Sequence, residues 1–333
     1  MPKLMTPLCH RLGITLPIIQ APISASPEFV AAVSNRGGLG MIQATWLEIE
    51  ELRDTISEVG GLTAKPFGVN FVLSLTEAQG HTSLDAALEL GVPVVSTFWA
   101  DPAPVIARIH DAGALSFHTV GSAEEARRVV DLGVDAVVAQ GVEAGGHVWG
   151  QVGTMVLTPA VVDAVPETPV IAAGGIADGR GLAAILALGA QAAWVGTRLL
   201  LARECKSHPA YRERLLAARE TDTVHTTLFD GGWPDAPLRC LSNKTLEAWI
   251  AAGRPDPGAR PNEGEVVAYY KTGEPVLRYS INEPTAGMTG DVLALVLYAG
   301  QGVGLAKEEK PVAEILEEMA AEASQILARL AQD

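Results

Sequence analysis

The feature that most restricts the fold of this chain is an alternation repeated eight times in its first two thirds. Short apolar, β-branched runs occur at Pro17–Ala21, Leu39–Gln43, Phe67–Val72, Pro93–Thr97, Ala114–His118, Ala136–Ala139, Pro169–Ala172 and Ala192–Val195. They are nearly continuously apolar, as parallel strands covered on both faces must be. Between them lie Ala-rich amphipathic stretches that read as helices: Pro27–Asn35, Leu47–Val59, Ser83–Leu90, Pro102–Ala112, Ser122–Leu132, Pro159–Ala164 and Gly179–Leu188. Several end on glycine, as in Gly91-Val92, Gly113-Ala114, Gly133-Val134 and Gly189-Ala190, where a helix C-cap needs a left-handed residue. A doubly wound open sheet shows the same alternation but more often stops at five or six strands. Eight units therefore predict an α/β fold of the (β/α)8 TIM barrel type.

The texture changes after Gly196-Thr197-Arg198. Residues 203–284 hold helices predicted at Pro209–Arg219 and Lys244–Ala252, with Gly-, Pro- and Asp-rich segments at Asp230-Gly231-Gly232-Trp233-Pro234 and Gly253–Gly264. The expected organisation is a barrel over 1–202, a lid or substrate subdomain inserted after strand eight over 203–284, and C-terminal helices over 285–333 packing back on the barrel. The last part is read as two helices. Gly290–Ala299 is almost wholly apolar and expected to be buried, within the chain or between copies, which leaves a homo-oligomer open. Pro311–Leu330 puts Val312, Ile315, Leu316, Met319, Ile326, Leu327 and Leu330 on one face.

Composition narrows the function. With 24 Lys and Arg against 39 Asp and Glu, the net charge is 24 − 39 = −15. That opposes a nucleic-acid binder and an anionic membrane surface, although a local site can still hold an anion. The 3 cysteines, Cys9, Cys205 and Cys240, are widely spaced and show neither a disulfide framework nor a zinc pattern. The opening Met1-Pro2-Lys3-Leu4-Met5-Thr6-Pro7 lacks a signal-peptide core, and no run is long enough for a membrane span. A cytoplasmic enzyme of small molecules is the expectation.

In a (β/α)8 barrel the site lies at the C-terminal ends of the strands. The residues there are Gln20-Ala21-Pro22-Ile23, Asn70, His118-Thr119, Gln140-Gly141-Val142-Glu143-Ala144-Gly145-Gly146-His147, Ala173-Gly174-Gly175 and Gly196-Thr197-Arg198. Phosphates in this fold commonly sit at the loops after strands seven and eight, where glycine lets backbone N–H groups approach an anion. Gly174-Gly175 and Gly196-Thr197 suit that role. His147, with Gln140 and Glu143 on its loop, is placed for proton transfer near neutral pH. Trp149, Trp194 and Trp99 lie near the mouth, where they either flank a planar ring or simply pack, the commoner use of tryptophan. There is no Rossmann fingerprint, Walker A sequence, His-Glu-x-x-His or Gly-x-Ser-x-Gly elbow.

These segments, with Ala31–Gly40, Pro66–Asn70, Ala172–Gly181, Arg239-x-Leu241-x-Asn243 and Tyr298–Gln301, resemble the nitronate monooxygenase (2-nitropropane dioxygenase) family, FMN enzymes on a (β/α)8 barrel. The resemblance covers most of the chain. It implies that Pro22, Asn70, Gln140 and Gly145 contact the flavin, with Trp194 among the cofactor-binding residues, and that Gly174, Gly175, Gly196 and Thr197 hold the FMN phosphate. It implies His147 as the catalytic histidine, and oxidation of alkyl nitronates with O2 to carbonyl compounds and nitrite. His147 would take the α-proton of a neutral nitroalkane. Two departures lie near the substrate: Ile23-Ser24-Ala25 where members often have Met-Ala-Gly, and Val148-Trp149-Gly150 where they often have glycine two residues after the histidine. A flavin-dependent NAD(P)H reductase, of enoyl-acyl-carrier-protein or quinone, is the alternative. The segment Thr154–Pro159 resembles the former, which more typically has Ser where Ala144 stands.

Overall fold

The computed structural model describes residues 4–77 and 80–332; the opening Met1-Pro2-Lys3 lies outside the described residues. Eight parallel strands form one sheet: β1 Ile18–Gln20, β2 Gly40–Gln43, β3 Phe67–Val72, β4 Val94–Phe98, β5 Leu115–Val120, β6 Ala136–Gln140, β7 Val170–Ala173 and β8 Ala192–Val195. Each neighbour pair from β2 round to β8 and on to β1 is in parallel register. The ring closes between β1 and β2 through the single bridge Ile19–Leu39. The Gln20 side chain adds a stitch across that seam, its Nε2 donating to Met41 O at 2.9 Å.

The apolar runs are apolar throughout because both faces are covered. Ile19, Met41, Val94, Phe117, Val138, Ile171, Ala173 and Trp194 share one cluster with the N-terminal helix Pro7–Leu12. The alternating residues, such as Ile18, Val195, Val69, Val95 and Val137, pack with residues of the surrounding helices. Pro7–Leu12 lies at the N-terminal ends of the strands, where Thr6 Oγ1 donates to Gln191 O at 2.8 Å and Arg11 pairs with Asp135. That placement leaves the C-terminal face open for a site.

Four expectations need correction. The helix after β6 runs Thr154–Ala164, not Pro159–Ala164, because the Glu143 carboxylate accepts from Thr154 N (2.9 and 3.0 Å) and caps it earlier, with Pro159 inside. β5 extends to Val120, so His118 is within the strand rather than at its end. Gly290–Ala299 is buried from Val292 on but is not a helix: Gly290 is exposed in the short strand Thr289–Gly290, and the 3-10 turn Val292–Ala294 is followed by extended chain. Its carbonyls are taken from the side: Asn243 Nδ2 donates to Leu293 O and Leu295 O, Thr245 Oγ1 to Ala294 O, and Leu241 N to Leu297 O. A buried segment needs such partners once helical bonds are absent. Finally, the helix Val312–Leu330 buries Val312, Ile315, Leu316 and Met319, but Leu330 is 64% exposed at its end.

Beyond β8 two small antiparallel sheets form. Thr223–Thr226 pairs with Leu238–Leu241, which pairs in turn with Gly146–His147 from the loop after β6. Pro275–Leu277 pairs with Val266–Tyr269, and that strand with Thr289–Gly290. Leu228, Phe229, Leu238, Cys240, Leu246, Tyr279 and Val296 make a core of their own.

Candidate active site

One cavity at the C-terminal face is lined by Pro22, Asn70, Gln140, Gly145, His147, Gly174, Gly175, Trp194, Gly196 and Thr197, ten of the residues picked out from the sequence. It encloses about 1330 Å³ of empty space, its open mouth included. Among the described residues, the lining contains no Lys or Arg.

One side of the cavity is made of backbone. Gly174 has φ +107°, and a Cβ there would stand 2.9 Å from Thr154 Oγ1 and 3.0 Å from Gly141 O. Only glycine satisfies both the dihedral and the approach. A Cβ on Gly145 would come within 2.4 Å of Gly300 N, so these two stretches of main chain lie directly against each other. Among the described residues, the N–H groups of Gly175, Ile176 and Thr197 donate to no backbone carbonyl. Thr197 Oγ1 accepts from Gly300 N at 2.9 Å, which leaves its own hydrogen to donate elsewhere. This is a concave set of neutral donors, suited to an anion.

The opposite side is made of side chains. His147 is held in the short strand Gly146–His147 against Leu238–Arg239, and its carbonyl accepts from Gln140 Nε2 at 3.2 Å. Its ring lies 4.2 Å from that of Trp233, tilted 33°, and 5.7 Å from Tyr298. His147 Nε2 is buried without a hydrogen-bond partner. Burial, with no charge nearby to offset it, pushes the imidazole down to about 3, so it is neutral at ordinary pH. Trp46, Phe98, Val72 and Ile281 complete an apolar wall.

Other candidates take supporting places. Glu143 does not line the cavity; besides capping Thr154–Ala164 it receives Thr154 Oγ1 at 3.0 Å. Arg239 Nε donates to Val142 O at 2.9 Å and holds the same loop. His118 does not line this cavity, its Nδ1 lying 2.8 Å from Thr97 Oγ1; Thr119, one residue on, does line it. Trp99 and Trp149 stand behind Phe98 rather than in the lining, with Trp149 Nε1 donating to Glu125 at 3.0 Å. Trp46, Phe98, Trp233, Ile281, Glu283 and Gly302 join the cavity without having been singled out by sequence. Trp233 sat in a visible Gly-Gly-Trp-Pro turn, but nothing local said where that turn would fold.

A (β/α)8 barrel with a glycine-built concavity of backbone donors facing a neutral histidine is the geometry of an enzyme site at the C-terminal face. The comparisons agree. The nitronate monooxygenase family model matches residues 5–322, and the chain belongs to that family, one of flavin-dependent oxidoreductases. A probable nitronate monooxygenase of Staphylococcus aureus is 33% identical over 90% of this chain and 92% of its own length. A (3aS,4S,5R,7aS)-5-hydroxy-7a-methyl-1-oxo-octahydro-1H-indene-4-carboxyl-CoA dehydrogenase of Mycobacterium tuberculosis is 40% identical over 76% of this chain and 70% of its own. Among solved structures, FabK of Thermotoga maritima superposes with a TM-score of 0.82 at 34% identity, covering 98% of each chain. A nitroalkane oxidase of Streptomyces ansochromogenes gives 0.75 at 30% identity, covering 96% of this chain and 99% of that one. Among the described residues no helix is long and apolar enough to cross a membrane.

Proposed function

We propose that this enzyme oxidises alkyl nitronates, and neutral nitroalkanes through them, with O2 in the cytoplasm, using FMN. The observation that carries the reading is a neutral histidine with an unpartnered, buried Nε2 in the same cavity as a cation-free glycine cradle. The cradle fits an FMN phosphate: Gly174, Gly175, Gly196 and Thr197 would hold it through main-chain N–H groups and the Thr197 hydroxyl. Pro22, Asn70, Gln140, Gly145 and Trp194 would surround the ring system. When bound, FMN supplies the electron transfer between nitronate and O2.

The chain's own residues supply position and proton transfer. His147 Nε2 takes the α-proton of a neutral nitroalkane. The developing anion beside it offsets the burial that otherwise disfavours an imidazolium. A nitronate arrives already deprotonated and does not need this step. Trp233, Phe98, Val72 and Ile281 keep water from the reacting carbon. Residues 203–284 act as the lid that brings Trp233 and Ile281 to the barrel mouth, with 285–333 packing back on the barrel.

The likeness to FabK keeps an NAD(P)H-dependent reductase as a second reading. The purified holoenzyme decides between them. Ethyl nitronate should drive oxygen uptake with stoichiometric nitrite release, while anaerobic NADH leaves the flavin spectrum little changed. Rapid bleaching by NADH with no response to nitronate would transfer the assignment to the reductase.

A further inference from the structure

Glu283 is a carboxyl group that nothing in the mechanism above uses. It lines the catalytic cavity on the segment just before Pro284, whose carbonyl accepts from His208 N at 3.1 Å. Its carboxyl accepts a hydrogen bond from its own backbone N–H, and among the described residues it forms no ion pair. The ionisable groups around it are Cys205, Tyr211, Tyr270 and Tyr298, none of them a cation. Two of those phenols are committed elsewhere: Tyr211 OH donates to Tyr298 O, and Tyr298 OH donates to Ile281 O at 2.8 Å. Glu283 is only half-buried and lines the cavity. Tyr298, whose ring lies 5.7 Å from that of His147, lines the same cavity as Glu283.

A carboxylate with no cation beside it and one backbone hydrogen bond is costlier in such surroundings than the carboxylic acid. An acid there has one O–H and no protein acceptor for it. We infer that Glu283 contacts the substrate, donating a hydrogen bond from its carboxyl to an oxygen of the nitro or nitronate group held in the cavity. This deepens the reading proposed above and rests on it for the identity of the ligand. Burial raises the Glu283 carboxyl above its ordinary range. The donor is therefore present below that raised value and is lost as pH rises through it, when the group becomes an anion facing an anion. The flanking groups do not mimic this change: burial pushes Tyr211, Tyr270, Tyr298 and Cys205 up, and His147 is already neutral.

The probe is nitrite, the oxyanion closest in form to the reacting group, titrated into the holoenzyme from pH 5 to 9. Binding is followed by tryptophan fluorescence, since Trp46 and Trp233 line the cavity. The readout does not depend on turnover, so a failure of nitronate oxidation is told apart from a failure of this contact. Glu283→Leu should weaken nitrite about tenfold at the acid end of the titration, the worth of one hydrogen bond to a charged group. Glu283→Gln, which keeps a donor, should stay within about threefold. The natural protein should lose affinity as pH rises while Glu283→Gln does not. Equal binding by Glu283→Leu, or the same fall with pH in Glu283→Gln, would overturn the inference. If the leucine variant fails to fold, the pH comparison with glutamine decides alone.

Discussion

The two sides of the cavity are built on opposite principles. The cradle of Gly174, Gly175, Gly196 and Thr197 presents main chain, and its residues follow barrel strands β7 and β8 within a few positions. The wall of His147, Trp233, Phe98, Tyr298 and Ile281 presents side chains, drawn from segments up to about 200 residues apart in sequence. The cradle's chemistry is thus fixed by what is missing, a Cβ. The wall's is fixed by what is placed there. At Gly174 and Gly175 the first kind tolerates almost no substitution, because both take left-handed backbone that L side chains rarely adopt. The second can be recut residue by residue without disturbing the first.

Substitution on each side tests that division. His147→Asn should lower kcat/KM for a neutral nitroalkane by about 10²–10⁴-fold, the usual worth of a positioned proton acceptor. Turnover of the preformed nitronate should fall by no more than about tenfold, and flavin content should stay at the natural ratio. Steady-state oxygen uptake with the two substrates reads the split; equal losses on both would remove His147 as the base. Gly174→Val should act the other way. Strain at φ +107°, together with contacts at 2.9 and 3.0 Å, costs on the order of 1–3 kcal/mol. That corresponds to roughly 5- to 150-fold weaker flavin binding, read as the flavin-to-protein ratio after dilution. Restored activity at saturating FMN would show that the wall was left intact.

A third effect, on stability, concerns acid. His147 and His118 are lowered to about 3 and about 4 by burial, against about 6.5 unfolded. Between those values the unfolded chain binds more protons than the folded one. Their contribution to stability is therefore full above pH 6.5 and is lost as pH falls toward the folded values. At pH 5 the loss is on the order of 2 kcal/mol for each. Urea midpoints at pH 7.5 and 5 should differ accordingly, and His118→Gln should remove part of the difference. An unchanged midpoint would mean that neither imidazole is held neutral.

The same contrast explains what could be read from the sequence. Phe67–Val72 and Ala192–Val195 match their strands residue for residue because a strand buried on both faces leaves no ambiguity in composition. The residues following those strands then had to stand at one end of the barrel, which brought the cradle and His147 together. Gly290–Ala299 misled because burial shows in composition while backbone conformation does not. Its carbonyls depend on Asn243 and Thr245, about 50 residues away. Trp233 and Glu283 were unreadable as site residues for the same reason: each reaches the cavity through loops whose course is set by tertiary contact.

The strand Gly146–His147 belongs to the barrel by sequence and to the sheet with Leu238–Leu241 by hydrogen bonding. His147 is therefore not anchored to the scaffold alone, and the two parts of the molecule are not interchangeable modules. Grafting a foreign substrate-binding segment onto this barrel would carry away the pairing partner of its histidine. Altered specificity in this architecture is more readily reached by changes within the existing segment than by exchange of the whole.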